Sequence, residues 1–406
     1  MKILFIHQNF PGQFKELAPA LARRPGAEVV AMCMHQRPLP GQPRLVRYRP
    51  TRGSSQQIHP WVADIETKTI RGEAAFRAAL ALRAEGFSPA VIVAHPGWGE
   101  SLFLREVWPR ARLGIYCEFF YHSEGFDVGF DPEFAAPDET RGCRFMMKNV
   151  NNLLHFEQAC AGISPTQWQA STFPMPFRDK ISVVHDGVDT ARVRPNPDAR
   201  LRLGPTLELG RDDEVVTFVS RNLEPYRGYH VFMRTLPEIL RRRPRARVVI
   251  VGGTEVGYGA APPAGKTWRD IFLDEVRADV DLARVHFVAK LPYPDFLSLL
   301  QLSTVHVYLT YPFVLSWSLL EAMSAGCAIV ASDTAPLREA IFHGETGRLT
   351  GFFDCQALAD EVSGLLDDPG ERIRLGANAR AFAQAHYDLN SVCLPRQLEW
   401  VDALAG

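Results

Sequence analysis

Paired cysteines are missing from this chain. Its seven cysteines (Cys33, Cys117, Cys143, Cys160, Cys327, Cys355, Cys393) are scattered, odd in number and never spaced C-x-x-C. That argues against a disulfide framework and a zinc site, and sets the expectation of a reducing cytoplasm. Long apolar runs are missing too. The longest are strand-sized, such as Val248–Val251, far short of the ~20 residues that span a bilayer. No transmembrane helix is expected, and the strand-like start Lys2–Ile6 reads as no secretory leader. Net charge is almost nil, −1 from 45 Lys/Arg and 46 Asp/Glu, so nucleic acid is not an expected partner. Walker, H-E-x-x-H and G-x-S-x-G patterns do not occur, and the glycines of the segment 251–259 lack the G-x-G-x-x-G spacing. Kinase, dehydrogenase and α/β-hydrolase readings have no support. Asp279 and Asp281 have the spacing of a metal-binding pair but precede a strand, at the wrong edge of a sheet. Neither a metal nor a cofactor is expected.

What is present is the composition of a globular protein, 46% hydrophobic and 22% charged, over 406 residues. That length suits two domains. Short apolar runs alternate with helix-period segments from the first residue, the pattern of parallel α/β sheets. Strands are expected at Lys2–His7, Glu28–Met34, Ala90–His95, Leu113–Phe119 and Ile181–Val184, with helices over 68–85 and 144–161. The stretch 119–142 reads as a long loop at the sheet's carboxyl edge. Pro, Gly and Asp crowd residues 185–205 and mark a boundary. Beyond it the pattern restarts, with strands at Glu214–Ser220, Ala246–Gly253, Arg284–Ala289, Thr304–Thr310 and Ala328–Ser332. Helices are expected over 229–241, 268–280, 294–303 and 316–325. The expected domains are 1–186 and 187–387, with a last helix at about 388–406 packing back on the first.

Ligands of open parallel sheets sit outside the carboxyl ends of the strands. There the second half has Arg221 at a strand end and Arg227 one short loop later, two guanidinium forks suited to a phosphate pair. Two plain surface arginines are the competing reading. A helix starting near Ser316 carries Glu321 in its second turn, where ribose hydroxyls would partner it. In the first half His95 ends a strand ahead of a glycine turn, and Gly12 lets a ligand approach the backbone. A basic stretch, Arg37, Arg44, Arg47, Arg49 and Arg52, has no carboxylate before Val62; it is a candidate for peripheral contact with an anionic membrane surface, or a solvated loop.

Together, Lys2–Phe14, the linker around Val184–Asp189, the run Val219–Leu236 and the run Ser318–Ile341 resemble the retaining glycosyltransferases of family four. The resemblance implies the GT-B fold, two facing Rossmann-like doubly wound parallel sheets with an interdomain cleft. It implies that Arg221 and Arg227 grip the diphosphate of a nucleotide-sugar, a UDP-sugar being favoured, and that Glu321 contacts the ribose. It further implies that Lys290 and Leu291 line the base, that His95 contacts the transferred sugar, and that Gly12 is the glycine of the donor-binding first loop. The family pattern puts a glutamate eight positions before Glu321, where this chain has Phe313. The backbone N–H groups of Leu315, Ser316 and Trp317 are then candidates to hold the sugar. Glu118, Tyr121 and His122, with Glu124 and Asp127, are candidates for the side of the acceptor, whose identity is open. The implied reaction is transfer with retention of anomeric configuration. An epimerase or sugar phosphorylase on the same fold, or a nucleotide-sugar-binding protein without transfer, are the alternatives.

Overall fold

The computed structural model describes residues 1–35, 43–135 and 137–406. The chain divides into two units. The first comprises Met1–Gly129, Ala135–Asp186 and Asn390–Gly406; the second comprises Phe130–Phe134 and Gly187–Leu389. Five residues of the long loop thus belong with the second unit.

Unit one is built on a seven-stranded sheet: β1 (Lys2–Ile6), β2 (Glu28–Cys33), β3 (Arg44–Arg47), β4 (Val91–Ala94), β5 (Arg112–Tyr116), β6 (Ala161–Ser164) and β7 (Ile181–Val183). Its order is β3-β2-β1-β4-β5-β6-β7, and every pairing is parallel. Ile3–Ile6 and Val91–Ala94 are fully buried, because helices cover both faces of such a sheet. Burying each of these larger apolar side chains stabilises the fold by about 1.5–3 kcal/mol. The last helix, Leu394–Ala405, lays Trp400, Val401 and Leu404 on one face. It comes so close to β5 that a Cβ on Gly114 would lie 2.5 Å from both Trp400 and Leu404.

Unit two carries the hairpin β8 (Arg200–Leu203) and β9 (Leu207–Gly210). Its six-stranded sheet is β10 (Val215–Asn222), β11 (Arg247–Gly253), β12 (Val285–Val288), β13 (Val305–Tyr308), β14 (Ile329–Ser332) and β15 (Arg348–Thr350). The order is β12-β11-β10-β13-β14-β15, again parallel throughout. In each sheet the strand order reverses at one point, between β1 and β4 in unit one and between β10 and β13 in unit two. Loops leaving the strands diverge there and open a crevice at the carboxyl ends.

Several elements depart from the pattern read in the sequence. β3, β6 and β15, each three or four residues long, are not among the expected strands, and the helix expected over 144–161 ends at Gln158, ahead of β6. The hairpin β8–β9 begins within the boundary segment 185–205 and runs past its end. Its turn at Gly204, with φ of 68°, and the buried Leu201 and Leu209 make it part of unit two's core.

Candidate active site

In unit two, Arg221 is the next-to-last residue of β10 and is exposed. A tight turn, Pro225–Arg227, follows and closes on Gly228 at φ 68°. A Cβ there would stand 2.3 Å from that of Leu309, so only glycine lets the turn pack on the chain leaving β13. The turn brings Arg227 inward, 7% exposed. Its Nη1 donates to Thr310 Oγ1 (2.8 Å) and to the Val314 carbonyl (3.3 Å). Two contacts orient the fork and leave further N–H donors for an anion. Both partners come from the loop after β13, so the arginine is aimed by the two strands that flank the switch point.

The same loop leads into the helix Trp317–Ser324, capped by Ser316 Oγ, which accepts from Ser318 N at 3.3 Å. Glu321 is half-buried on that helix, and its Oε1 accepts a hydrogen bond from Tyr293 Oη at 2.7 Å. Burial first, then the Glu321 charge, pushes the Tyr293 hydroxyl well above its ordinary range. That bond ties Glu321 to the start of the helix Tyr293–Leu302, which follows Lys290 and Leu291 in the chain. Lys290 is exposed and Leu291 half-buried beside Val288. Of the three amides proposed for the sugar, one is corrected: the N–H of Ser316 already donates to Tyr308 Oη at 3.2 Å. Leu315 is buried, while Trp317 is exposed.

Phe313 is buried in an aromatic group, 5.4 Å from Tyr226 and 5.1 Å from Tyr258 between ring centroids. Behind it the segment Phe130–Phe134 is clasped: Asp131 Oδ2 accepts from Tyr311 Oη at 2.7 Å and lies 3.0 Å from His230 Nε2. Arg234 donates to both oxygens of Glu133, at 2.6 and 2.7 Å. Asp131, Glu133 and His230 bring three ligand-type atoms together, but the Arg234 guanidinium already supplies the positive charge that a cation would.

In unit one the crevice between β1 and β4 gathers His7, Gln13, His95, Trp98, Tyr116 and Glu118. His95 is buried and its Nδ1 accepts from Gly97 N at 3.2 Å. The neutral tautomer assigned by that bond carries its proton on Nε2, which is 3.5 Å from Glu118 Oε2. This separation is at the edge of hydrogen bonding, and Nε2 makes no hydrogen bond within the protein. The ring stacks on Tyr116 at 5.4 Å and leans on Trp98 at 4.6 Å. His7, 5.2 Å away, bonds Gln13 Oε1 through Nε2 at 2.9 Å. Burial, and then neighbouring His95, lowers the His7 pKa to about 3, so that ring is neutral at any ordinary pH.

Gly12 has φ 50°, and a Cβ on it would come within 2.2 Å of His7 Nε2. Its lack of a side chain admits the His7 ring. Gly12→Ala combines a left-handed backbone with this clash, and we expect a loss of roughly 1–3 kcal/mol, read as a lower denaturation midpoint. A midpoint equal to that of the unaltered protein would contradict the packing.

Two of the other acceptor-side candidates have contacts of their own within unit one. His122 Nε2 bonds the Thr172 carbonyl at 2.7 Å and its ring stacks on Phe126 at 4.1 Å. Tyr121 N donates to Asn149 Oδ1 at 3.1 Å, and the Lys148 ammonium lies 3.7 Å over its ring. These contacts tie both residues to neighbouring segments of unit one, while Glu118 stands in the crevice beside His95. Glu124 is exposed and Asp127 buried. In the basic stretch Arg37 lies outside the described residues, while Arg44 pairs with Glu85 and Arg52 with Glu66. The carboxylates absent from the local sequence are supplied by the helix Ala63–Ala84 and its cap. No helix among the described residues is long and apolar enough to cross a membrane.

His7 was not singled out from sequence, although it directly follows β1 and the strand-end rule could have found it. Thr310 and Tyr258 carried no signal, because their meaning depends on contacts with Arg227.

Two doubly wound parallel-sheet domains in one chain, each with polar residues gathered at its switch point, define the GT-B class of fold. Sucrose-phosphate synthase from Thermosynechococcus elongatus superposes over 100% of this chain and 99% of its own, with TM-score 0.74 at 19% identity. Anabaena HepE, in complex with UDP and glucose, covers 99% of this chain and 100% of its own, with TM-score 0.70 at 17% identity. The chain belongs to the family-four type of glycosyltransferases: the glycosyl transferase family 4 group matches residues 25–193, and glycosyl transferases group 1 matches residues 207–382. D-inositol 3-phosphate glycosyltransferase of Corynebacterium efficiens is 33% identical over 208 residues, 50% of this chain and 46% of that protein. The GDP-mannose-dependent alpha-(1-6)-phosphatidylinositol monomannoside mannosyltransferase of Mycolicibacterium smegmatis is 30% identical over 224 residues, 54% of this chain and 56% of its own. The chain spans about half the length of the curated relatives it matches.

Proposed function

We propose that this protein transfers a sugar from a nucleoside-diphosphate sugar, with UDP favoured as the carrier, to an acceptor hydroxyl with retention of anomeric configuration. The observation that carries the reading is the buried Arg227 fork, oriented by Thr310 and Val314 at the switch point, with exposed Arg221 at the end of the adjacent strand. Two guanidinium groups there would bind the diphosphate and stabilise the charge that grows on it as the glycosidic bond breaks. Glu321, held by Tyr293 Oη, would take the ribose hydroxyls. His95, whose Nε2 has no hydrogen-bond partner within the protein, would donate from that atom to a hydroxyl of the transferred sugar. Retention follows if the acceptor hydroxyl attacks from the leaving-group face and passes its proton to the departing phosphate oxygen. Among relatives, one is named as GDP-mannose-dependent and the fold neighbour HepE is complexed with UDP; the diphosphate is what these share.

Melting temperature measured with UDP, GDP, dTDP and ADP and their sugars tests the reading. A ligand at 100 times its Kd stabilises by about 2.7 kcal/mol, or roughly 5–10 °C for a domain of this size. At least one nucleoside diphosphate should raise the midpoint by that much, and its monophosphate much less. If none does, the donor site is misassigned.

A further inference from the structure

The turn that carries Arg227 also holds a second loop in place. Glu224 caps that turn, is 1% exposed, and its Oε2 accepts the N–H groups of Gly257 (3.2 Å) and Tyr258 (3.1 Å) from the loop after β11. The approach is so close that a Cβ on Gly257 would come 2.5 Å from Glu224 Oε1 and 3.1 Å from Asn222 Nδ2. Oε1 itself is buried with no hydrogen-bond partner. A carboxylate in that setting is costly to bury, and what it secures is the position of one side chain. The Tyr258 ring stands over the Arg227 guanidinium at 5.2 Å, a cation–π contact. Phe313 backs it at 5.1 Å and Tyr226 lies 6.0 Å away. Phe313 is buried, but Tyr258 is 41% exposed, so its ring is the surface presented beside the arginine.

In a nucleoside-diphosphate sugar the pyranose is bonded directly to the distal phosphate. Whatever Arg227 holds therefore places the sugar within a few ångströms of Tyr258. We propose that Tyr258, positioned by Glu224 and backed by Phe313, is the wall on which the donor's pyranose ring packs its C–H face, making Tyr258 a determinant of donor-sugar binding. This rests on the reading that Arg227 takes the diphosphate. An aromatic face has no acceptor for sugar hydroxyls and selects for an apolar ring face instead, since aromatic contact adds to simple area burial.

Isothermal titration of UDP and of UDP-glucose into the full chain and its variants separates the two ideas. Tyr258→Ala should weaken UDP-glucose about tenfold and leave UDP within twofold, while Tyr258→Phe keeps both. Glu224→Gln, which weakens the hold on both amides without moving the ring's chemistry, should give a smaller loss confined to UDP-glucose. Equal weakening of UDP and UDP-glucose by Tyr258→Ala would show that the ring serves only Arg227 and would overturn the proposal, as would no change in either. If the unaltered protein binds neither ligand, the failure lies in the donor reading beneath it. Melting temperatures of the variants check that each is folded.

Discussion

Arg227→Ala lowers kcat/KM for the donor about 10³-fold. Its guanidinium is the one whose direction is set by protein contacts, Thr310 Oγ1 at 2.8 Å and the Val314 carbonyl at 3.3 Å. A preorganised donor aimed at charge that develops in the transition state contributes about 3–4 kcal/mol. Exposed Arg221 is not held in this way, so Arg221→Ala should cost less, on the order of tenfold. The alanine variant at 227 also leaves the Thr310 hydroxyl and Val314 carbonyl short of a partner, for about 1–3 kcal/mol of stability. Steady-state rates are therefore compared at a temperature where both proteins are folded. Arg227→Lys keeps the charge and loses the fork, and belongs between the two. Unchanged kcat/KM in Arg227→Ala would remove the arginine from the mechanism.

Glu100→Gln abolishes a loss of stability that the unaltered protein suffers as pH rises. Glu100, in the segment that follows His95, is fully buried, and neither of its oxygens has a hydrogen-bond partner. Tyr48 lies beside it, short of hydrogen-bonding geometry. Burial raises the carboxyl pKa from 4.5 to about 7, with its own backbone N–H and Arg71 opposing. Below 4.5 the group is protonated in folded and unfolded chains alike and contributes nothing. Between 4.5 and about 7 the unfolded chain releases the proton while the folded one keeps it, so stability falls, by about 3 kcal/mol once pH exceeds 7. Denaturant unfolding at pH 5 and pH 8 gives the comparison. The variant should gain on the unaltered protein by most of that amount between the two pH values. A constant difference would mean that Glu100 ionises freely in the folded state.

The parallel sheets were legible because their central strands are continuous apolar runs. Ile3–Ile6, Val91–Ala94 and Val248–Ile250 are completely buried, and such strands tolerate few polar residues. Arg221, Arg227 and His95 were legible for the same reason, since each follows directly from a strand end or its first turn. Edge strands such as β3, with charged Arg44 and Arg47 at its ends, carry no such run. What the site adds beyond these residues depends on distant pairings. Gly257 meets Glu224 across 33 positions and Tyr311 meets Asp131 across 180, and no local pattern encodes either. Gly12 was legible as a glycine required by close approach, but what approaches it in this structure is the ring of His7.

The central claim is that paired guanidinium groups at the switch point of unit two bind a diphosphate. Titration calorimetry of UDP against UMP, on the unaltered protein and on the Arg221→Ala, Arg227→Ala double variant, tests it most directly. The account predicts that UDP binds at least tenfold more tightly than UMP to the unaltered protein, and that the double variant loses this preference while its affinity for UMP stays within about threefold, since each 1.4 kcal/mol is a factor of ten. A double variant that still prefers UDP by the full margin would contradict it.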